Sequence, residues 1–579
     1  MSTASKPRMR YKAVSREKSD GATYTPKLLA DFVASQIVLH ASATAELGSV
    51  RVLDPAVGDG ELLLSLLRQL DDSVLERVEV HGFDTNADAL ELAATRLRES
   101  FPEVVLRFSH ESFLEYVLKN YGAEHGSSLF PPTGGAEFDF VIANPPYVRT
   151  QIMGAGQAQE LARQFGLSGR VDLYQAFLIG MAQVMRSGAI AGIIVSNRFM
   201  TTKSGSAVRQ AIQRRFQIRH VWDLGDTKLF DAAVLPAVLL LEKRLGRDAE
   251  PARFTSIYET TEPATELATG VIAALSHAGT IKLDDGRCFA IKQGRLAQDD
   301  ESDAVWRVTC DVTDSWLEQV ESKTWGTFRN IGKVRVGVKT CADKVFIRRD
   351  WMSLPQADRP ELLRSLVTHH TARRFRAEAT NAPWMILYPH EVVNGVRRAV
   401  DLAKFPKSAR YLDQHREALH DRKYVLDAGR EWFEIWVPQD PDRWTAPKLV
   451  FRDISEKPTF WIDTAGSIVN GDCYWLACDP GVDEDLLWLA CAVANSTFIE
   501  EFYDHRFNNK LYSGRRRFIT QYVELFPLPN PDLAQSRRIV EAAKQLSELA
   551  DEPVAASLQS ELNGLVWSAF GLPIKEVGG

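Results

Sequence analysis

Between Ser49 and Lys243 the chain repeats one pattern: a short run of β-branched and apolar residues, then a longer stretch with apolar residues at helical spacing. That alternation is the rhythm of a mainly parallel sheet covered by helices on both faces, so this half is expected to be α/β. The strand candidates are SVRVLD (Ser49–Asp54), VEVHGFD (Val78–Asp84), VVLRF (Val104–Phe108), FDFVIAN (Phe138–Asn144), AGIIVS (Ala191–Ser196), RHVWDLG (Arg219–Gly225) and PAVLLLEK (Pro236–Lys243). Helical patterns occupy Glu61–Leu70 and Ala87–Arg98, and the Gly/Pro-rich stretch Glu124–Glu137 reads as a surface loop. The rhythm breaks in the polar stretch Arg244–Phe254, which places a domain boundary there and divides the chain into residues 1–245 and 246–579. The second part is rich in aromatics and irregular strands and closes in a helical tail from about Asp532 to Phe570, so a mixed α+β domain is expected.

Bulk properties narrow the class. A chain of 579 residues exceeds one ordinary hydrophobic core, which allows a catalytic body plus a substrate-selecting part. No apolar run approaches the ~20 residues that span a bilayer. The leader MSTASKPRMRYKAVSREKSDG is basic and polar without an apolar core, which predicts a cytoplasmic protein with no membrane partner. The six cysteines all lie from Cys288 onward, with no CxxC pair and none after a proline, arguing against a disulfide framework or structural zinc. A net charge of -7 does not mark a nucleic-acid binder, because only the local distribution of basic residues decides that.

VLDPAVGDGELLLSLL (Val52–Leu67) is a strand ending in an acid, then a glycine loop, then an amphipathic helix. Gly58 and Gly60 allow a tight turn and close approach of a ligand to the backbone. Asp84 ends the next strand, where a carboxylate can accept hydrogen bonds from both ribose hydroxyls of an adenosine or merely cap the following helix, for which Asn86 and Asp88 are also candidates. No Lys-Ser/Thr follows the glycines, which disfavours a phosphate loop, and Leu63 breaks the G-x-G-x-x-G spacing of a nicotinamide site.

The strand FDFVIAN runs directly into Asn144-Pro145-Pro146-Tyr147. An exocyclic adenine amine is a poor nucleophile because its lone pair is conjugated into the ring. Two acceptors aimed at its N–H bonds, the Asn144 side-chain oxygen and the Pro145 carbonyl, would draw the nitrogen toward tetrahedral geometry. Two successive prolines stiffen the loop that holds these acceptors. Tyr147 offers a flat face on which an extruded base can stack, a contact worth roughly 1–3 kcal/mol. The methyl would then move in line to the amine, without a covalent enzyme intermediate or a metal.

These segments resemble the gamma-class DNA adenine-N6 methyltransferases of type II restriction-modification systems. ATYTPKLLADFV (Ala22–Val33) is similar to that family's amino-terminal cofactor motif, with Thr25-Pro26 opening a helix, and its position before the glycine loop gives the gamma order. The resemblance implies a Rossmann-like catalytic domain that uses S-adenosyl-L-methionine, followed by a carboxy-terminal target-recognition domain. It implies that Asp54, Ala56, Gly58 and Gly60 line the methionine and adenosine pocket, that Asp84 holds the ribose and that Pro146 touches the cofactor. VDLYQAFL (Val171–Leu178) matches the helix behind the site, with Phe177 near the cofactor adenine. Phe230, in LGDTKLFDAAVLPAVLLL (Leu224–Leu240), matches the position that stacks on the target base opposite Tyr147; an ordinary core aromatic is the other reading of it. The family's acidic residue before a Phe-Leu pair is replaced by Ser112, before Phe113-Leu114, with Glu111 adjacent, which implies weaker cofactor discrimination.

Beyond residue 246, Arg506, Lys510, Arg515, Arg516 and Arg517 occur without an intervening acid among Phe507, Tyr512 and Phe518, a pattern suited to phosphates or to a solvated charged face. NSTFIEEFY and GRRRFITQYVELFPLP (within Asn495–Pro529) resemble the family's recognition domain, and Ile331–Arg349 matches another of its segments; the basic leader Lys6–Lys18 is an arm on DNA or a tail. The expected partner molecules are double-stranded DNA and, functionally, a separate restriction endonuclease, with the protein a monomer. Cytosine-N4 methylation uses the same amine chemistry, but Asn before Pro-Pro with Tyr after it leans toward adenine. Cytosine-C5 chemistry needs a cysteine after a proline, and the sequence has none. Protein-glutamine methylation also uses an Asn-Pro-Pro-Tyr loop, but in enzymes without so long a carboxy-terminal part. A fused nuclease is disfavoured by the short stretch before Thr25 and by the lack of a PD…(D/E)xK cluster. A non-catalytic DNA-binding or modification-sensing subunit of the same fold is the remaining alternative.

Overall fold

The computed structural model describes residues 25–41, 48–122, 137–147, 155–167, 172–202, 205–230, 235–244, 251–297, 305–378, 381–507, 515–549 and 552–574. The leader Lys6–Lys18, most of the Glu124–Glu137 loop, Lys510 and Tyr512 lie outside them.

The strand candidates become β1 (Val50–Asp54), β2 (Val78–Phe83), β3 (Val105–Ser109), β4 (Phe138–Ala143), β5 (Met185–Ser196), β6 (Phe216–Asp223) and β7 (Pro236–Lys243). After them come β8 (Arg253–Glu259), β9 (Glu266–Ala268), β10 (Gly279–Leu283), β11 (Cys288–Leu296) and β12 (Val308–Thr309). Among the described residues these form one twelve-stranded sheet in the order β3-β2-β1-β4-β5-β7-β6-β8-β11-β10-β9, with β12 beside β11. From β3 to β5 every pairing is parallel, whereas β7 lies antiparallel between β5 and β6.

All six residues of β4 are buried, as a strand covered on both faces requires. Alternation assigns the faces: Phe140 and Ile142 pack into one apolar cluster, Val141 and Ala143 into the other. Helices α1 (Lys27–His40), α2 (Glu61–Leu67) and α3 (Ala87–Ser100) cover the first face; α4 (Phe113–Tyr121) and α5 (Leu173–Val184) cover the second. Asn86 starts α3 by accepting from the backbone N–H groups of Asp88 and Ala89, a cap worth about 1 kcal/mol.

The division expected near residue 245 is corrected by the pairing. β8 adds in parallel to β6 through Val221↔Phe254 and Trp222↔Thr255, and β11 continues from β8, so the sheet runs well past that point. The chain divides into two compact units, one ending at Cys310 and the next starting at Asp311. The polar stretch at Arg244–Phe254 marks a connection inside the sheet rather than its end.

The second unit is α+β. One four-stranded sheet runs Arg335–Val336, Cys473–Leu476, Lys448–Arg452, Phe460–Asp463, and another runs Ile347–Arg348, Met385–Leu387, Leu363–Val367, Ile468–Val469. The helical tail resolves into Ala534–Glu548 and Glu552–Ala569, packed with Asp485–Ala494 and Thr497–Arg506 around a core holding Phe498, Phe502, Phe518 and Phe526. No helix among the described residues is long and apolar enough to cross a membrane.

Candidate active site

From β1 the chain builds the sheet on one side with β2 and then β3, and it crosses back to place β4 on the other side of β1. Such a switch in strand order opens a crevice at the carboxyl ends of the strands. Leu53 pairs with Val141 and Asp54 with Gly82, so the glycine loop after β1, Asp84 after β2 and Asn144 after β4 share one sheet edge.

The glycine loop is pinned from several sides. Gly58 (φ 54°) and Gly60 (φ 81°) adopt left-handed conformations, and a Cβ on Gly60 would stand 2.9 Å from the Cβ of Ala93. The Asp84 carboxylate accepts from the N–H of Gly58 at 2.9 Å and from that of Asn86 at 2.8 Å. Because Asn86 caps α3, Asp84 ties the two cofactor-side loops together rather than capping a helix. Arg96 on α3 donates to the Asp59 carbonyl at 2.6 Å and pairs with Glu61. Sequence reading missed this clamp, since an arginine on a partly exposed helix face carries no local signal.

Asp54 is fully buried. Its Oδ1 accepts from the Ala56 N–H at 3.0 Å, but its Oδ2 has no partner. Burial, with the charges of Asp84 and Asp59 adding to it, pushes this carboxyl up to about 8. A buried carboxylate oxygen without a donor suits a cationic ligand group, which an amino acid's ammonium supplies. The methionine end of S-adenosylmethionine therefore fits the residues present.

On the other side of the edge, Asn144 Nδ2 donates to Thr25 Oγ1 at 3.0 Å, and the Tyr147 hydroxyl donates to Asn144 Oδ1 at 2.9 Å. Burial holds the Tyr147 phenol well above its ordinary range, so it remains a donor. Phe177 is buried against Phe113 with ring centroids 5.8 Å apart, and Phe113 meets Phe83 at 5.6 Å. Ser112 precedes α4 and spends no side-chain hydrogen bond on its amino end.

The family model of the Eco57I restriction-modification methylase matches residues 76–230, which include Asp84, the Asn144–Tyr147 loop and Phe230. Over 574 residues the chain is 36% identical to the type II methyltransferase M.BanIII of Aneurinibacillus aneurinilyticus, covering 96% of this chain and 98% of that one. The chain belongs to the type II DNA methyltransferases of restriction-modification systems. Their methyl donor is S-adenosylmethionine. The type II methyltransferase M.PaeR7I of Pseudomonas aeruginosa is 25% identical over 568 residues, 96% of this chain and 92% of its own. The solved type IIL restriction-modification enzyme MmeI in complex with DNA shares the fold, with a TM-score of 0.60 at 13% identity, covering 97% of this chain and 78% of MmeI.

In this methyltransferase two groups of sequence-selected residues are placed otherwise than expected. Phe230 is 7% exposed and packs with Trp222 and Leu224 in the cluster on the α1 face, whereas Tyr147 packs against the cluster on the opposite face. The Phe230 ring is thus buried, in keeping with its reading as a core aromatic. Arg516 donates to both oxygens of Asp504 at 2.8 and 2.9 Å and lies 3.7 Å from Glu500. Arg517 pairs with Asp453 at 3.3 Å, and Phe507 and Phe518 are core residues. The acids missing from the local sequence come from other elements, so Arg516 is corrected from a phosphate ligand to an internal ion-pair partner. Arg515 is exposed, and Arg506 is partly buried at the end of its helix.

Proposed function

We propose that this DNA methyltransferase transfers a methyl group to N6 of an adenine swung out of duplex DNA, the first unit carrying the transfer and the second choosing the site. What supports amine transfer is the Asn144 amide, held by Thr25 and Tyr147 on the edge where the strand order switches, and Asn before Pro-Pro with Tyr after it favours adenine. S-adenosylmethionine supplies the methyl on an electrophilic sulfonium carbon. Asp54 would hold the ammonium of the cofactor's methionine end, and Asp84, with Gly58, the ribose side. Asn144 Oδ1 and the Pro145 carbonyl would accept the two amine hydrogens, raising electron density on the nitrogen that attacks. The amine nitrogen would form its new bond to the methyl carbon as the bond from that carbon to sulfur is given up, and it would lose one proton to solvent, because the Asn144 and Pro145 oxygens accept hydrogen bonds but not a proton. Tyr147 would stack on the base, with Phe230 on its other side once that ring is uncovered.

Exposed Arg515, with Arg506, would meet phosphates. A separate restriction endonuclease cutting the same sequence is the functional partner, and a monomer suffices to modify each strand in turn. Modification-sensitive sequencing of DNA from cells expressing the chain tests the reading. Methylated adenine at one recurring sequence is the expected result; N4-methylcytosine there would overturn the adenine assignment, and unmodified DNA the activity.

A further inference from the structure

Asn197, Asp223 and Tyr258 form a buried hydrogen-bonded set apart from the groups assigned above. They are 8%, 3% and 6% exposed, and they come from three strands: Asn197 follows β5, Asp223 closes β6 and Tyr258 belongs to β8. Asn197 Nδ2 donates to Asp223 Oδ1 at 2.8 Å and to the Tyr258 hydroxyl at 3.2 Å. The Tyr258 hydroxyl donates to Asp223 Oδ2 at 2.6 Å, and the Gly225 N–H to Asp223 Oδ1 at 3.2 Å. A buried carboxylate held by neutral donors alone is an expensive way to join three strands, since apolar side chains would join them at lower cost. Its value lies in fixing geometry.

Two routes lead from this set toward the Asn144 loop. β5 runs parallel to β4, so Asn197 ends at the same edge as Asn144. Asn197 also stands before the short helix α6 (Arg198–Thr201) without capping it, its NH2 donating to Asp223 and Tyr258. Phe199 in α6 lies 6.5 Å from Tyr174, which lies 6.3 Å from Tyr147, centroid to centroid. The second route is the turn after β6. The Leu224 N–H donates to the Pro236 carbonyl and the Asn197 N–H to that of Leu235, which ties Leu224, at the start of the segment leading to Phe230, to the first residue of β7. Gly225 (φ 47°) presses so near β8 that a Cβ would stand 2.2 Å from the Ile257 carbonyl oxygen. One small network thus fixes the backing of Tyr147 and the root of the Phe230 turn.

We infer that Asn197, Asp223 and Tyr258 are positioning residues that set the separation between Tyr147 and the Leu224–Phe230 turn, and thereby the width of the slot that receives the target base. The inference rests on the base-extrusion reading above. None of the three touches cofactor or base; they act through the two aromatics.

The test uses the full-length protein and a duplex in which 2-aminopurine replaces the methylated base, once sequencing has located it. This probe brightens when it leaves the stack. Tyr258→Phe removes one oxygen and keeps the ring, and Asp223→Asn removes the charge. For both, emission at saturating DNA is expected to fall to about a third of the parent's or less, with kcat down about tenfold, the scale of a sub-ångström misplacement. Cofactor affinity, set at the ends of β1 and β2, should stay within about twofold of the parent's. Parental emission from Tyr258→Phe overturns the inference while leaving base extrusion standing. No brightening with the unsubstituted protein removes base extrusion, and the inference with it. If Asp223→Asn does not fold, Tyr258→Phe alone decides.

Discussion

The Tyr147 hydroxyl donates to Asn144 Oδ1 across 2.9 Å, so the two ends of the Asn-Pro-Pro-Tyr loop are tied through their side chains. An amide oxygen has two lone pairs and can accept more than one hydrogen bond, as the proposed role with a substrate amine requires. The Thr25 oxygen holds the NH2 side of the same amide and so decides which way the oxygen points. A residue far upstream in the chain thus orients the proposed catalytic acceptor.

Asn144→Ala removes that acceptor. Methyl transfer from tritiated S-adenosylmethionine to duplex DNA should fall by at least on the order of 10²–10³-fold, with DNA affinity largely intact. Near-full turnover by this variant would rule out the role given to Asn144.

Thr25→Val keeps shape and loses the oxygen to which the Asn144 NH2 donates. Its kcat is expected to drop about tenfold, and Thr25→Ser should restore most of it. Parental kcat in Thr25→Val, with the loss appearing in Thr25→Ser instead, would mean that the methyl group, not the hydroxyl, is what matters at this position.

Asp54 makes a linkage prediction. Its folded pKa, up to about 8, lies above that of the unfolded chain, so the folded state keeps a proton that the unfolded state has lost. Its contribution therefore weakens the fold as pH rises from about 4 toward 8, and Asp54→Asn should flatten the fall of melting temperature over that window. An ammonium bound to the carboxylate expels this proton. Calorimetry at pH 7 in buffers of different ionisation enthalpy should show release of about one proton per cofactor, absent in Asp54→Asn. Proton-neutral binding by the parent would remove Asp54 from the ammonium site.

Asp84→Ala loses the carboxylate that accepts from the N–H groups of Gly58 and Asn86. Cofactor affinity by titration calorimetry should weaken on the order of tenfold or more. An unchanged constant would leave Asp84 a structural tie alone.

Arg515 and Arg516 should separate sharply although adjacent. Arg516→Ala removes the guanidinium that pairs with Asp504 and Glu500 and should cost on the order of 3 kcal/mol in denaturant unfolding. Arg515→Ala should leave stability unchanged and lower the salt dependence of DNA binding by about one phosphate contact. The opposite pattern in the two variants would reverse their assignment.

What the sequence by itself determined is local. Apolar periodicity located the seven strands up to Lys243, because burial on both faces leaves a strand such as FDFVIA little choice of composition, although β5 begins at Met185 rather than Ala191 and β8 to β12 were not read. The glycine loop, Asp84 and the Asn-Pro-Pro-Tyr turn were legible because each needs particular residue types at fixed spacing. Tertiary structure decided what depends on distant partners. The polar stretch at Arg244–Phe254 resembles a linker, yet β8 pairs with β6 across it, and no local signal encodes a strand partner. Arg516 resembles a phosphate ligand until Asp504 and Glu500 reach it. Phe230 read either as a stacking residue or as a core aromatic, and only the fold gave its burial, while Asn197, Asp223 and Tyr258 carry no motif at all. The physical reason is common to these cases: a charge, a ring or a strand edge acquires its role from whatever neutralises, covers or pairs with it, and those groups come from elsewhere in the chain.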